Sequence, residues 1–369
     1  AFRTDPQRDV EDGAESEERS GGKREEPVEP GLVPRAEGAS GDEKRQHCGH
    51  HEHEQQDVRC RPEAEHEGQS VEVAVVVCPG PAGGQHQERA EGRDLNGVDL
   101  RDAGVHDVGT YGPRGHGGGD TMAAAELFCD RDVMTVARWP KASPLPNHGF
   151  ELMAGCEGSI LQYASERPAS WEWRDDIFMH GHFALDWASN IVRITELDTA
   201  SRRITMAPEG AGHYGLRPNG RFFYFNVLEE LSTPGEYYID RDAKMLYFWP
   251  PEPIENARIT LSTLKSPLFT LDNCKHISIR GFTVEDALGA GIHIKDGASV
   301  SIEACNIRNV RDRGIEIEGG TEHRIDACDI YDTGTGGVRV HGGDRTTLTP
   351  SGHLIINNHI HHYSQHQLT

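Results

Sequence analysis

Apolar and polar positions alternate in short runs over the last hundred or so residues, and the runs repeat. IRGFTV at 279–284 returns as IEACNI at 302–307 and IDACDI at 325–330, a step of 23 residues each time. GIHI at 291–294 keeps that step as GIEI at 314–317 and GVRV at 337–340. A fourth copy, IINNHI at 355–360, follows the third after 30 residues, so the added residues fall in or near 344–352 and read as a loop insertion. Each repeat holds two or three period-2 strands bounded by Gly, Asn or Asp, with no room for an amphipathic helix. Repetition at this period predicts a solenoid. Short strands without helical or leucine-rich spacing predict the stacked coils of a parallel β-helix. In such a stack each inward residue lies over its equivalent one coil away. The predicted columns are Ile279/Ile302/Ile325/Ile355 and Phe282/Cys305/Cys328/Asn358. Cys305 and Cys328 then read as small interior hydrophobes, with a disulfide between adjacent coils as the alternative.

The same alternation predicts what faces outward. If Ile292 and Ile294 point in, His293 and Lys295 point out. The equivalent sites are Glu316 and Glu318 one coil on, then Arg339 and His341. Six ionisable groups on one face form a binding ladder for a chain-like ligand, or a solvated surface with weak cross-strand ion pairs. Further carboxylates stand at coil corners: Asp286, Asp312, Asp332 and Asp344.

Upstream, 122–265 predicts a β-rich region. The run 133–140 reads as a strand ending at Pro140, and 222–231 leads into a Pro234-Gly235 turn. Two strands follow, 237–241 and 245–251, around an Asp-containing turn. Residues 1–121 differ in kind. The first 120 contain only two aromatics, Phe2 and Tyr111, and no Ile. Such a composition cannot bury enough surface to offset chain entropy. The segment is expected to be disordered, or translated from a wrong frame with Met122 near the real boundary. Its apolar run 71–78 lacks a partner strand. Its HCGHHEH tract at 47–53, with Cys60 and His66, offers zinc or copper ligands at a spacing that fits no finger or ribbon, so it reads as a solvated tract.

Charge narrows the partners. Sixty Asp and Glu against 37 Lys and Arg give a net charge of -23, which disfavours nucleic acid and anionic membranes. No apolar run approaches the roughly 18 residues of a membrane span, and no signal peptide opens the sequence. Eight cysteines in 369 residues do not make a disulfide scaffold.

NVLEELSTPGEYYIDR at 226–241 followed by MLYFWPP at 245–251 resembles a signature of bacterial right-handed parallel β-helix proteins, a group that includes the glycoside hydrolases of family 141. ARWP at 137–140, HGHF at 180–183 with Asp186 and Trp187, GGDR at 342–345 and NNHIH at 357–361 agree. The resemblance covers roughly 124–369. It implies an all-β, pectin-lyase-like solenoid with β-helix coils over 266–369, a secreted or periplasmic location, and action on fucose- or xylose-containing plant polysaccharides. Members of that group have early coils where this chain has 1–120 and continue past 358, so the chain is expected to be a fragment that lacks part of the cleft.

The expected function is polysaccharide hydrolysis by paired carboxylates. Glu316, Asp332 and Asp344 are the catalytic candidates, with His293, Lys295, Glu318, Arg339, His341 and Arg345 as substrate contacts. No cofactor is required. A polysaccharide lyase on the same fold, with Lys295 and Arg339 or a Ca2+ ion neutralising a uronate, is the first alternative. A glycan-binding module without catalysis is the second. Trp139 and Trp249 are expected in the core.

Overall fold

The computed structural model describes residues 96–112, 114–115, 124–143, 149–208, 214–254 and 257–366. The described residues are almost entirely β, with two short 3-10 turns at Arg167–Ser170 and Leu228–Glu230. The predicted strand over 71–78 and the His/Cys tract at 47–66 lie outside them.

The predicted coils are present in the predicted register. Three parallel sheets run side by side along the stack. The first holds Phe269–Asp272, Ile292–Lys295, Ile315–Glu318 and Val338–His341. The second holds Ser278–Arg280, Ser301–Glu303, Arg324–Asp326 and Leu354–Ile356. The third holds Thr283–Val284, Asn306–Val310, Asp329–Thr333 and His359–His361. Ile279, Ile302, Ile325 and Ile355 pair in sequence along the second sheet. Ile292, Ile294, Ile302, Ile307, Ile315, Ile317, Ile325 and Ile330 are each fully buried in one cluster. β-Branched side chains suit this setting because they stack on a pleated surface with one preferred χ1.

The second predicted column divides. Cys305 and Cys328 are buried and both are free thiols, so the interior-hydrophobe reading holds and the disulfide does not form. Asn358 accepts from the amide of Cys328 and donates to the Ile325 carbonyl. Phe282 instead turns out, 51% exposed, edge-on to Phe269. A phenyl ring is too large for the corner that a thiol fills.

The corners show a regularity that composition hides. Left-handed residues stack in columns: Gly281, Ala304, Ala327 and Asn357 between the second and third sheets, and Asp286, Asn309 and Asp332 at the far end of the third, the last two within its strands. Gly, Asn and Asp tolerate positive φ at little cost, whereas Ala does not. Ala304 and Ala327, at φ 48 and 53, are therefore held there by the stack.

The β-rich region packs differently. The hairpin Glu236–Asp240 and Met245–Trp249 forms around the expected turn, and Gly235 at φ 86 takes the position of a Pro-Gly turn that only glycine fills easily. Asn96–Asp99 adds to its far edge. Leu100, Val105, Val108 and Tyr111 are all buried. The boundary expected at 121 is thus too late: residues 96–112 belong to the folded region, because their few apolar side chains fall where strands from far along the chain need them. A larger antiparallel sheet, with Phe178–Leu185 and Ala188–Asp198 at its centre, carries a core that includes Trp171, Phe183, Phe222 and Tyr224. Trp139 packs against that core and Trp249 against a smaller one, as expected.

The distinctive acidic run at 226–241 proves structural. Glu230, fully buried, accepts from Arg167 Nε at 2.6 Å and Trp171 Nε1 at 2.7 Å. Glu236 accepts from Lys141 Nζ at 2.7 Å and from the amides of Ser232 and Thr233 at 2.9 and 3.1 Å. Buried carboxylates persist only when their oxygens are satisfied in this way.

Candidate functional site

Strand alternation on the first sheet sets all six predicted ladder residues facing outward. His293 pairs with Glu316 and then Arg339, and Lys295 with Glu318 and then His341. Directly beneath, Ile292, Ile294, Ile315 and Ile317 form a buried floor that fixes the backbone positions.

Glu316 is the centre of this face and is only 8% exposed. Its Oε1 lies 2.8 Å from Arg339 Nη1 on the next coil and 3.4 Å from Arg313 Nη1 at the preceding corner. Arg313 also approaches Asp312 at 3.6 Å, and Asp312 accepts from Thr335 Oγ1 at 2.7 Å. Two guanidinium groups and a corner network therefore hold one carboxylate in place. His293 Nε2 lies 3.3 Å from Glu318 Oε2, without hydrogen-bond alignment. One ligand-type atom each from His293, Glu316 and Glu318 lies within 4.8 Å of the others. Lys295 and His341 are exposed. Among the described residues Lys295 meets no carboxylate within ion-pair distance.

The other candidates stand elsewhere. Asp332, left-handed near the end of its strand and one coil on from Asn309, lines a cavity. Asp344 accepts from the amide and hydroxyl of Thr347 and the amide of Thr346, within its own loop. Those hydrogen bonds hold its carboxyl below the usual range. Arg345 lies exposed on the same loop. Neither Asp332 nor Asp344 joins Glu316; its carboxylate neighbour is Glu318, two residues along the same strand. Arg313 escaped the sequence reading, yet its column held the signal: the equivalent residues are Ala290 and Gly336, so one coil carries a long cation where its neighbours are small.

A second polar concentration lies at the seam between the coils and the β-rich region. The cavity there, about 390 Å3, is lined among others by Tyr111, Glu126, His180, Arg311, Asp332 and His366. Glu126 is paired with Arg311 and with His366. His180 Nε2, Arg311 Nε and the Tyr111 hydroxyl are buried without a hydrogen-bond partner among the described residues. Burial, with His366, His182, Arg138 and Arg311 nearby, pushes the His180 pKa down to about 3, so its ring is neutral. Corner residues weld the seam elsewhere: Arg258 binds Glu285 at 2.8 Å and Asp286 at 3.0 Å, and Asn309 donates to the Arg131 carbonyl at 2.8 Å. Asp332 was named from the sequence; Glu126, Arg311 and Tyr111 were not, since no local pattern announces a contact between segments so far apart.

No helix among the described residues is long and apolar enough to cross a membrane. The family model for a right handed beta helix region matches residues 268–365. No curated protein matches the sequence. A solved structure named "Glycoside hydrolase" is similar, with a TM-score of 0.53 at 14% identity, over 65% of this chain and 54% of that one. At that identity the likeness is one of fold, and the chain spans about half the length of that neighbour. Residues 268–365 are a right-handed parallel β-helix, set in a chain that shares its fold with a glycoside hydrolase.

Proposed function

We propose that the outward face of the first sheet binds a polysaccharide and that Glu316 and Glu318 are the carboxylates of a glycoside hydrolase. The observation that carries this reading is their placement on one rigid strand, with carboxylate oxygens and the His293 ring within 4.8 Å of one another. Glycosidases use two carboxyl groups roughly 5–5.5 Å apart for retention and roughly 6.5–9.5 Å apart for inversion, so the short separation favours retention. Glu318, the more exposed of the pair and beside His293, is suited to exchange a proton with the leaving oxygen. Glu316, held by Arg313 and Arg339, is suited to stabilise or capture the developing positive charge on the sugar. Lys295, Arg339 and His341 extend the contact along the chain of sugars, and such a substrate places the protein outside the cell or in the periplasm.

A lyase reading rests on Lys295, a cation on the same face without a carboxylate partner among the described residues and so free to neutralise a uronate. The test is incubation of the protein with plant and microbial polysaccharides, reading reducing ends and near-ultraviolet absorbance together. New ends without absorbance, lost in both Glu316→Gln and Glu318→Gln, support the hydrolase. Absorbance with the new ends moves the case to the lyase. Cleavage that survives both substitutions removes this pair from the mechanism.

A further inference from the structure

On the third sheet a different set of side chains faces outward. Alternation sends His359 and His361 to the same side of one strand. His359 lies across from Asp329 on the coil below, and His361 lies across from Tyr331. The Oδ1 atom of Asp329 is 3.1 Å from His359 Nδ1 and 3.2 Å from His361 Nε2. We propose that Asp329, His359 and His361 form a binding site for a zinc-class divalent metal ion that ties the third and fourth coils together.

The spacing fits. Zinc binds imidazole nitrogen and carboxylate oxygen at about 2.0–2.2 Å, so neighbouring donors around it lie about 3.0–3.4 Å apart. Two of the three donor separations already have that value, and all three atoms lie within 4.8 Å of one another.

The surroundings hold the donors in place. His361 stacks on Tyr331 with ring centroids 4.9 Å apart and planes 7° from parallel. The Tyr331 hydroxyl is fixed in turn by Arg308 Nη1 at 2.9 Å. The remaining ring nitrogen of His361, Nδ1, lies against His362 Nδ1, which orients the Nε2 edge toward Asp329. A ligating histidine commonly uses its second nitrogen in this way.

The chemistry selects the metal. Two imidazoles with one carboxylate suit zinc, cobalt or nickel, whereas Ca2+ and Mg2+ prefer oxygen donors. No Lys or Arg among the described residues binds Asp329. The contrast is with Glu316, whose two guanidinium partners would repel a cation. His359, 73% exposed at its side chain, leaves one side of the site open to solvent.

The test uses the whole chain and Zn2+ alone, counting bound metal by equilibrium dialysis and elemental analysis. The HCGHHEH tract at 47–53 offers further ligands, so the readout is the difference between chains. We expect the unaltered protein to hold one more zinc per chain than His359→Ala/His361→Ala, with equimolar Ca2+ failing to displace it. His359→Ala alone removes a mostly exposed side chain whose ring contact is with His361, so with an unchanged unfolding midpoint its loss of that zinc is separate from any folding defect. Tyr331→Ala should weaken binding about 10-fold by freeing the His361 ring. Equal zinc content in the unaltered and double-substituted proteins, or displacement by Ca2+, would overturn the proposal.

Discussion

The coils and the β-rich region bury their side chains by opposite routes. In the coils one residue type repeats in a column, so Ile302 rests between Ile279 and Ile325, each contact one turn away along the chain. In the β-rich region Glu126–Cys129 pairs with Ile259–Ser262, and Asn96–Asp99 with Met245–Trp249, across most of the domain. The first core is assembled from near neighbours and can be lengthened one unit at a time. The second closes only when distant segments meet, and it places polar hubs such as Glu230 at its centre. A solenoid thus spreads its stability, while the β-rich region concentrates it.

The largest effect should come from that concentration. Glu230→Ala takes a fully buried carboxylate away from Trp171 Nε1 and from Arg167, whose side chain is half-exposed; two hydrogen bonds to a charged group, each contributing about 1.5–3 kcal/mol, make the loss about 3–5 kcal/mol. Urea unfolding should show the loss across the whole β-rich region; a local effect would break the contrast. Ile302→Ala opens a cavity among fully buried isoleucines and should cost about 2–5 kcal/mol. Hydrogen exchange should rise mainly in the adjoining coils, and uniform deprotection would show the coils to be as interdependent as the other region.

Acid sharpens the comparison at the seam. His180 titrates near 3 in the fold against an ordinary value of 6.5, so below pH 6.5 the unfolded chain binds a proton the fold refuses. Its contribution is full above pH 6.5 and falls by about 1.4 kcal/mol per pH unit below it, down to pH 3. His323 and His353, also pushed down by burial, act in the same direction from within the coils. His180→Gln should flatten the acid slope of thermal stability; an unchanged slope would place the sensitivity in the coils. The smallest effect has the opposite sign. Ala304→Gly relieves a left-handed residue and should stabilise the protein by about 1 kcal/mol, seen as a higher unfolding midpoint.

The same contrast decides what could be read from the chain alone. The 23-residue step exposed the coils, their register, the six outward residues and the insertion, because each contact joins equivalent positions. It did not reveal Phe282 turning outward, which depends on the size of one corner. Nor did it expose the folded segment 96–112, whose few apolar residues matter only once distant strands meet. At the candidate site Glu316 was legible from alternation alone; Asp332 and Asp344, the other catalytic candidates of the sequence, stand away from it, while Glu318, expected as a substrate contact, lies two residues along the same strand. The motif at 226–241 was distinctive for a reason composition conceals, since two of its acids, Glu230 and Glu236, are buried supports.

The insertion after the third coil has a consequence for how such proteins diversify. Asp344 and Thr349 pair with each other at the mouth of the loop, and Leu354 resumes the stack by bonding to the His323 carbonyl. The detour is closed before the next strand begins, so the coils on either side keep their alignment whatever its length. It springs from the same corner as His341, at the rim of the charged face. Lineages can therefore lengthen, shorten or exchange this loop and recut the edge of the charged face while every interior isoleucine stays where it was, and a designer could graft a new rim there by the same route.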